Sequence, residues 1–96
     1  MIKALRVSVK DNVAVLLEDI KKGEECNYGG DYPQKANQDI PFGHKIALKD
    51  IKTGEDIIKY EHVIGYATQT IKQGDWVHNH NIRSDRGRIK KERPVL

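Results

Sequence analysis

Apolar residues along this chain fall into short runs rich in β-branched side chains, at residues 4–9, 13–17, 45–48, 57–60, 63–67 and 76–78, and none continues as a helical stripe. In the first run Leu5, Val7 and Val9 alternate with Arg6 and Ser8, the period-two pattern of a strand with one buried face. The second, Val13-Ala14-Val15-Leu16-Leu17, is apolar without a break, which predicts a short strand buried on both faces. Asp11-Asn12 separates the two runs, and together they read as a hairpin. The expected fold is mostly β, made of short strands joined by irregular crossovers, with at most short helical turns.

A six-residue unit punctuates these runs three times, as Asp19-Ile20-Lys21-Lys22-Gly23-Glu24, Asp50-Ile51-Lys52-Thr53-Gly54-Glu55 and Thr70-Ile71-Lys72-Gln73-Gly74-Asp75. Its glycines lie 31 and then 20 residues apart, too unevenly for a solenoid. A tight turn explains the unit: Ile anchors it in the core, two polar residues cross the surface, and Gly takes a backbone geometry that a Cβ disfavours. Residues 50–55 also read as one helical or 3₁₀ turn with Asp50 as its cap. Asn27-Tyr28-Gly29-Gly30-Asp31-Tyr32-Pro33 reads as a polar loop, and Pro41 and Gly43 stiffen and bend the approach to His44.

Composition adds limits. Ninety-six residues, 38% hydrophobic and 32% charged, suit one domain with a modest core. The net charge of +3 is uneven: residues 1–82 carry 11 basic against 12 acidic side chains, and residues 83–96 carry 6 against 2. A neutral body with scattered aromatics offers no platform for nucleic acid, which is not expected as a partner. The domain is expected over 1–82, and 83–96 is expected to be a basic tail or linker, extended or ordered by a partner. No apolar run approaches the roughly 18 residues of a membrane span, and no signal-peptide stretch opens the chain, so no membrane partner and a cytoplasmic location are expected. Cys26 is the sole cysteine, which excludes an intramolecular disulfide and a zinc site built from cysteines.

The candidate chemistry lies in histidines. His78 and His80 in His78-Asn79-His80-Asn81 would share one face of an extended strand, roughly 6.5–7 Å apart, close enough to converge on one metal or one anion. His44 would supply a third group if the loop after Pro41 folds over that strand, and Lys45 a positive charge for a carboxylate. The alternative is that His78 and His80 are ordinary solvent-facing residues. There is no Gly-x-Ser-x-Gly elbow, phosphate-binding glycine loop or paired-carboxylate signature. A chain this short rarely encloses a full pocket of roughly 300–1,000 Å³, so a site shared with a larger chain is the natural expectation.

The stretches Ile40-Pro41-Phe42-Gly43-His44-Lys45-Ile46-Ala47-Leu48-Lys49-Asp50-Ile51, Gly54-Glu55, Ile58-Lys59-Tyr60, Ile64-Gly65-Tyr66-Ala67 and Gly74-Asp75-Trp76-Val77-His78-Asn79-His80-Asn81 closely resemble the SAF-type domain of the altronate and galactarate dehydratases. The resemblance runs over residues 11–81. It implies a β-clip fold and a role as the small N-terminal domain, or a separate small subunit, of a sugar-acid hydro-lyase; the small subunit of a sulfolactate sulfo-lyase is a relative. Three positions depart from the family pattern. Glu61 stands where a Gly usually follows the Lys-Tyr pair, Trp76 where a third histidine is common, and Asn79 where a small apolar residue is usual.

The resemblance further implies loss of water from an aldonic or aldaric acid, giving a 2-keto-3-deoxy acid. A base removes the proton α to the carboxylate and hydroxide leaves the β carbon. The enediolate needs a metal or cationic groups to stabilise it, and the departing hydroxide needs an acid. His44, His78 and His80 are the expected catalytic, metal- or substrate-facing groups, with His78 and His80 as candidate metal ligands and Lys45 and Asn81 as substrate-binding supports. The implied cofactor is a divalent metal, iron or manganese, held mainly by a large catalytic subunit. That subunit and the sugar acid are the implied partners, with self-association left open. A stand-alone sugar-acid or anion binding module without catalysis is the alternative, and a purely structural domain a third reading.

Overall fold

The computed structural model describes residues 1–84. It is mostly β, and no helix occurs among the described residues. The strands are β1 (Ile2–Leu5), β2 (Val13–Leu16), β3 (Glu25–Asn27), β4 (Gln34–Lys35), β5 (Lys45–Ala47), β6 (Asp56–Lys59), β7 (His62–Ala67), β8 (Trp76–Val77) and β9 (Ile82–Ser84). Six form a sheet in the order β4-β3-β1-β2-β5-β8, and β6-β7-β9 form a second. All pairs are antiparallel except β1 with β3. The β1–β2 hairpin is present, with Ala4 opposite Leu16 and Leu5 opposite Val15.

The unbroken apolar run of β2 has a direct cause. Ala14 and Leu16 enter one core with Ala4, Ile20, Cys26, Ala36, Ile40 and Ile46, while Val13 enters a second with Ala47, Ile51, Ile57, Ala67, Ile71 and Val77. β5 divides in the same way, Ile46 into the first core and Ala47 into the second. The central strands therefore separate two small cores and need apolar side chains on both faces.

The glycine turns brace each core from within, and there are four of them. Asp39-Ile40-Pro41-Phe42-Gly43-His44 is a copy hidden in the sequence by its Pro, Phe and His. Ile20 bridges Ile40 and Ile51 bridges Ile71, each through a reciprocal pair of backbone hydrogen bonds of 2.8–2.9 Å. Aspartates lace the turns across each pair. Asp19 Oδ1 accepts from Phe42 N, Asp39 Oδ1 from Lys22 N and Asp50 Oδ1 from Gln73 N, all at 2.8 Å. The glycines have φ between 86° and 95°, a region L side chains rarely adopt, so the invariant feature of the unit is a backbone requirement.

Three local expectations change. Asp50 spans to the Ile71 turn instead of capping a helix. The alternation of residues 5–9 misplaces the buried face: Ala4 points inward, while Leu5, Val7 and Val9 are 42%, 62% and 82% exposed. After Leu5 the chain leaves the sheet, because the Asp11 carboxylate accepts from Val7 N and Ser8 N and closes a turn. Finally, β9 carries Arg83 and Ser84 into the second sheet, with Ser84 opposite Gly65 and Arg83 opposite Tyr66. The domain thus runs past residue 82, and the remainder of the expected tail lies outside the described residues.

Asp11 and Asn12 also join the two sheets. Asn12 Nδ2 donates to Asp56 O and its Oδ1 accepts from Ile58 N, while Asp11 Oδ1 accepts from Glu61 N. Burial alone would raise the Asp11 carboxyl, but backbone N–H groups of Glu61, Tyr60, Ser8 and Val7 outweigh it and hold the group below its ordinary value. Its stabilising effect is therefore complete above the unfolded carboxylate range and is lost as pH falls through the lowered folded value. Asp11→Asn should cost about 1.5–3 kcal/mol near neutrality and flatten the acid limb of a urea-midpoint profile against pH. The Tyr60-Glu61 loop joining β6 to β7 has φ of 56° and 68°, the left-handed pair that favours Gly. Glu61→Gly is expected to raise stability by about 1 kcal/mol in urea unfolding.

Candidate functional site

His44 owes its freedom to the turn it ends. In the other three copies the last residue is acidic and bonds back to the third residue's backbone: Glu24 Oε1 accepts from Lys21 N, Glu55 Oε1 from Lys52 N and Asp75 Oδ2 from Lys72 N, at 2.7–2.8 Å. In the Ile40 copy the third residue is Pro41, which has no N–H, and the last is His44. The turn still closes through His44 N donating to Pro41 O, but the imidazole has no capping duty. It turns instead to Trp76, whose Nε1 donates to His44 Nδ1 at 3.1 Å.

Trp76 is the centre of the cluster. It lies on β8 opposite Ile46 of β5 and packs against the first core. The His78 ring stacks on it at 6.0 Å and 15°, and the His80 ring meets it edge-on at 5.8 Å. His44 approaches both Trp76, at 5.3 Å, and His78, at 4.7 Å. The three histidines thus gather round one indole.

They do not do so by the expected route. β8 ends at Val77, and residues 78–81 form a turn in which Asn81 N donates to His78 O. His78 and His80 therefore converge through a bend and not along one face of an extended strand. Asn81 makes that bend. It is only 4% exposed, its Oδ1 accepts from His78 N, and its Nδ2 donates to Trp76 O, both at 2.9 Å. With both halves of the amide bonded to backbone, Asn81 positions the histidine-bearing turn. Lys45 sits apart as well: it is opposite Val15 and Val77 in register, so it shares their face of the sheet, whereas Trp76 pairs with Ile46 on the other.

The charges that act on His78 are all positive. Burial first, and then the charges of His44, Lys45 and His80, hold the His78 imidazole below its ordinary value. Burial, and then Lys59, lower Lys45. The donor set does not by itself make a metal centre: among the described residues no group of three His, Cys, Asp or Glu side chains is placed to hold one. The His78 and His80 pair needs ligands from elsewhere to complete a metal shell.

Trp76 also closes a groove of about 340 Å³ with Asp19, Ile20, Lys21, Asp39, Ile40 and Pro41. Like two larger concavities of about 480 and 450 Å³, that groove is lined by no histidine; it reaches the cluster only through Trp76. Sequence reasoning treated Trp76 only as a missing histidine. The one clue to its role was an indole two residues before His78 in a chain with a single Trp. Asn81→Ala should cost about 1–3 kcal/mol in urea unfolding, because buried backbone groups lose their partners, and should displace the His78 and His80 resonances in an NMR spectrum.

Among the described residues no helix is long and apolar enough to cross a membrane. Residues 2–85 match the altronate/galactarate dehydratase SAF domain. The chain is 42% identical over 82 residues to altronate dehydratase of Bacillus subtilis (strain 168) and 41% identical over 81 residues to altronate dehydratase of Escherichia coli (strain K12), in each case covering 84% of this chain and 16% of the relative. It is 43% identical over 56 residues to (2R)-sulfolactate sulfo-lyase subunit alpha of Paracoccus pantotrophus, covering 58% of this chain and 84% of that subunit. The chain thus spans about a sixth of the dehydratases but most of the sulfo-lyase subunit. A match over nearly the whole described domain shows that this chain belongs to the family of altronate/galactarate dehydratase SAF domains.

Proposed function

We propose that this chain is the small subunit or N-terminal domain of a sugar-acid dehydratase of the altronate or galactarate type, working in a site completed by a large catalytic subunit. The observation that carries this reading is the open cluster of His44, His78 and His80 round Trp76, with the charge of Lys45 acting on His78 and that of Lys59 acting in turn on Lys45. An aldonate or aldarate brings a carboxylate, whose charge the lysines offset, and hydroxyls that imidazoles can donate to or accept from. Elimination asks for a base at the carbon α to that carboxylate and an acid at the departing β-hydroxide. His78, whose imidazole its surroundings hold below the ordinary value, is suited to proton transfer. The large subunit supplies the remaining groups and the divalent metal, iron or manganese, which would stabilise the enediolate when bound.

A two-part enzyme is supported by the sulfo-lyase relatives, which are named as alpha subunits. Co-purification from the native host, followed by assay with altronate and galactarate, tests partner and chemistry together. A larger protein should co-elute and form a 2-keto-3-deoxy acid, whereas a chain that emerges alone and binds either acid saturably would replace this reading with a binding module. In the complex, His78→Ala and His80→Ala should each lower kcat/KM by roughly 100-fold or more with folding intact. Full activity in both removes the shared site. Pro41→Lys with His44→Glu rebuilds the turn of the other three copies, and is expected to keep stability in urea unfolding while activity falls.

A further inference from the structure

We propose that Trp76 fixes the tautomer of His44, so that His44 meets its ligand as a hydrogen-bond donor through Nε2–H and is excluded as a base or metal ligand. The proposal rests on the shared-site reading only for the nature of the ligand, an oxygen of a carboxylate or hydroxyl, and not for the tautomer itself. An indole nitrogen is a donor and never an acceptor. The Nε1–H of Trp76 points at His44 Nδ1 at 3.1 Å, so Nδ1 must offer its lone pair. A neutral imidazole has one proton, which then sits on Nε2. A base or a metal ligand needs a free lone pair facing the reacting atom, and on His44 the only free lone pair is already held by Trp76.

The indole cannot easily turn away. Its residue is paired with Ile46 across the sheet, its backbone N donates to Gln38 Oε1, and its carbonyl accepts from Asn81 Nδ2. Its ring is stacked on His78 and touched by His80. Nor does the turn compete for His44, because Pro41 removes the N–H that the other three turns use to hold their last side chain. Trp76 is thus a positioning residue: it divides the three imidazoles into one committed donor and two whose nitrogens it leaves available for other roles.

The test is a long-range ¹⁵N–¹H correlation spectrum of the uniformly ¹⁵N-labelled 96-residue chain at about pH 8, above the ordinary imidazole range of about 6.5. His44 should show protonated Nε2 and unprotonated Nδ1. In Trp76→Phe, which keeps an aromatic ring against the core, the His44 nitrogens should shift toward the average of the two tautomers. Addition of Zn²⁺ alone should leave the His44 nitrogens unmoved in the parent chain and shift them in Trp76→Phe. A proton on Nδ1 in the parent overturns the proposal. So does one unchanged tautomer in both proteins, or an equal zinc response. If the variant fails to fold, the parent spectrum decides alone. Absence of dehydratase activity would count against the proposed function and leave the tautomer result standing.

Discussion

Everything in this small domain hangs on the pairing of tight turns through their isoleucines. Each bridge, Ile20 with Ile40 and Ile51 with Ile71, does three things at once. It closes two backbone hydrogen bonds, buries two β-branched side chains in one core, and sets two turns side by side so that at least one aspartate reaches across. Strands of two to six residues cannot hold register alone. The bridges supply that register from outside the ladders, and each of the two cores contains one bridge.

Such a scaffold makes the functional position easy to vary. Three turns spend an acidic side chain on their own closure, at Glu24, Glu55 and Asp75. Where proline removes the donor, the same position becomes free for a side chain with another purpose. His44 therefore stands on a rigid turn, anchored by Ile40 in the core, without being used by it. Trp76 lies across the sheet from the same turn and gives the imidazole its direction. Asn81 supports the other half of the cluster by fixing the bend that brings His78 and His80 back over the indole. The rings are thus held by buried backbone contacts one residue removed from them, which is how a site on loops gains the stiffness of a site on strands.

The cluster lies open on the surface of the domain: His80 is exposed, and His44, Trp76 and His78 are half-buried. The segment matched makes up 16% of the Bacillus subtilis altronate dehydratase and 84% of the Paracoccus pantotrophus sulfo-lyase alpha subunit, so the same scaffold serves within chains of very different length.

The sequence by itself determined the composition of the fold: short β-branched runs, a doubly buried β2, glycine turns and no helical stripe. These follow from local rules, because period, turn residues and burial on one or both faces are written into neighbouring positions. Its motifs also carried the family and the three histidines. Where reading failed, the reason was contact between distant residues. The alternation of Leu5, Val7 and Val9 lost to a turn closed by Asp11. The fourth repeat was masked because its bridging backbone tolerates Pro, Phe and His as side chains. The hold of the Asn81 amide on the backbone of its own turn was not legible in the sequence. Only the tertiary structure decided that Trp76 gathers the histidines and that Lys45 shares the face of Val15 and Val77 rather than that of Trp76, since those relations depend on which strands lie side by side, and short strands leave that choice to the packing of the whole.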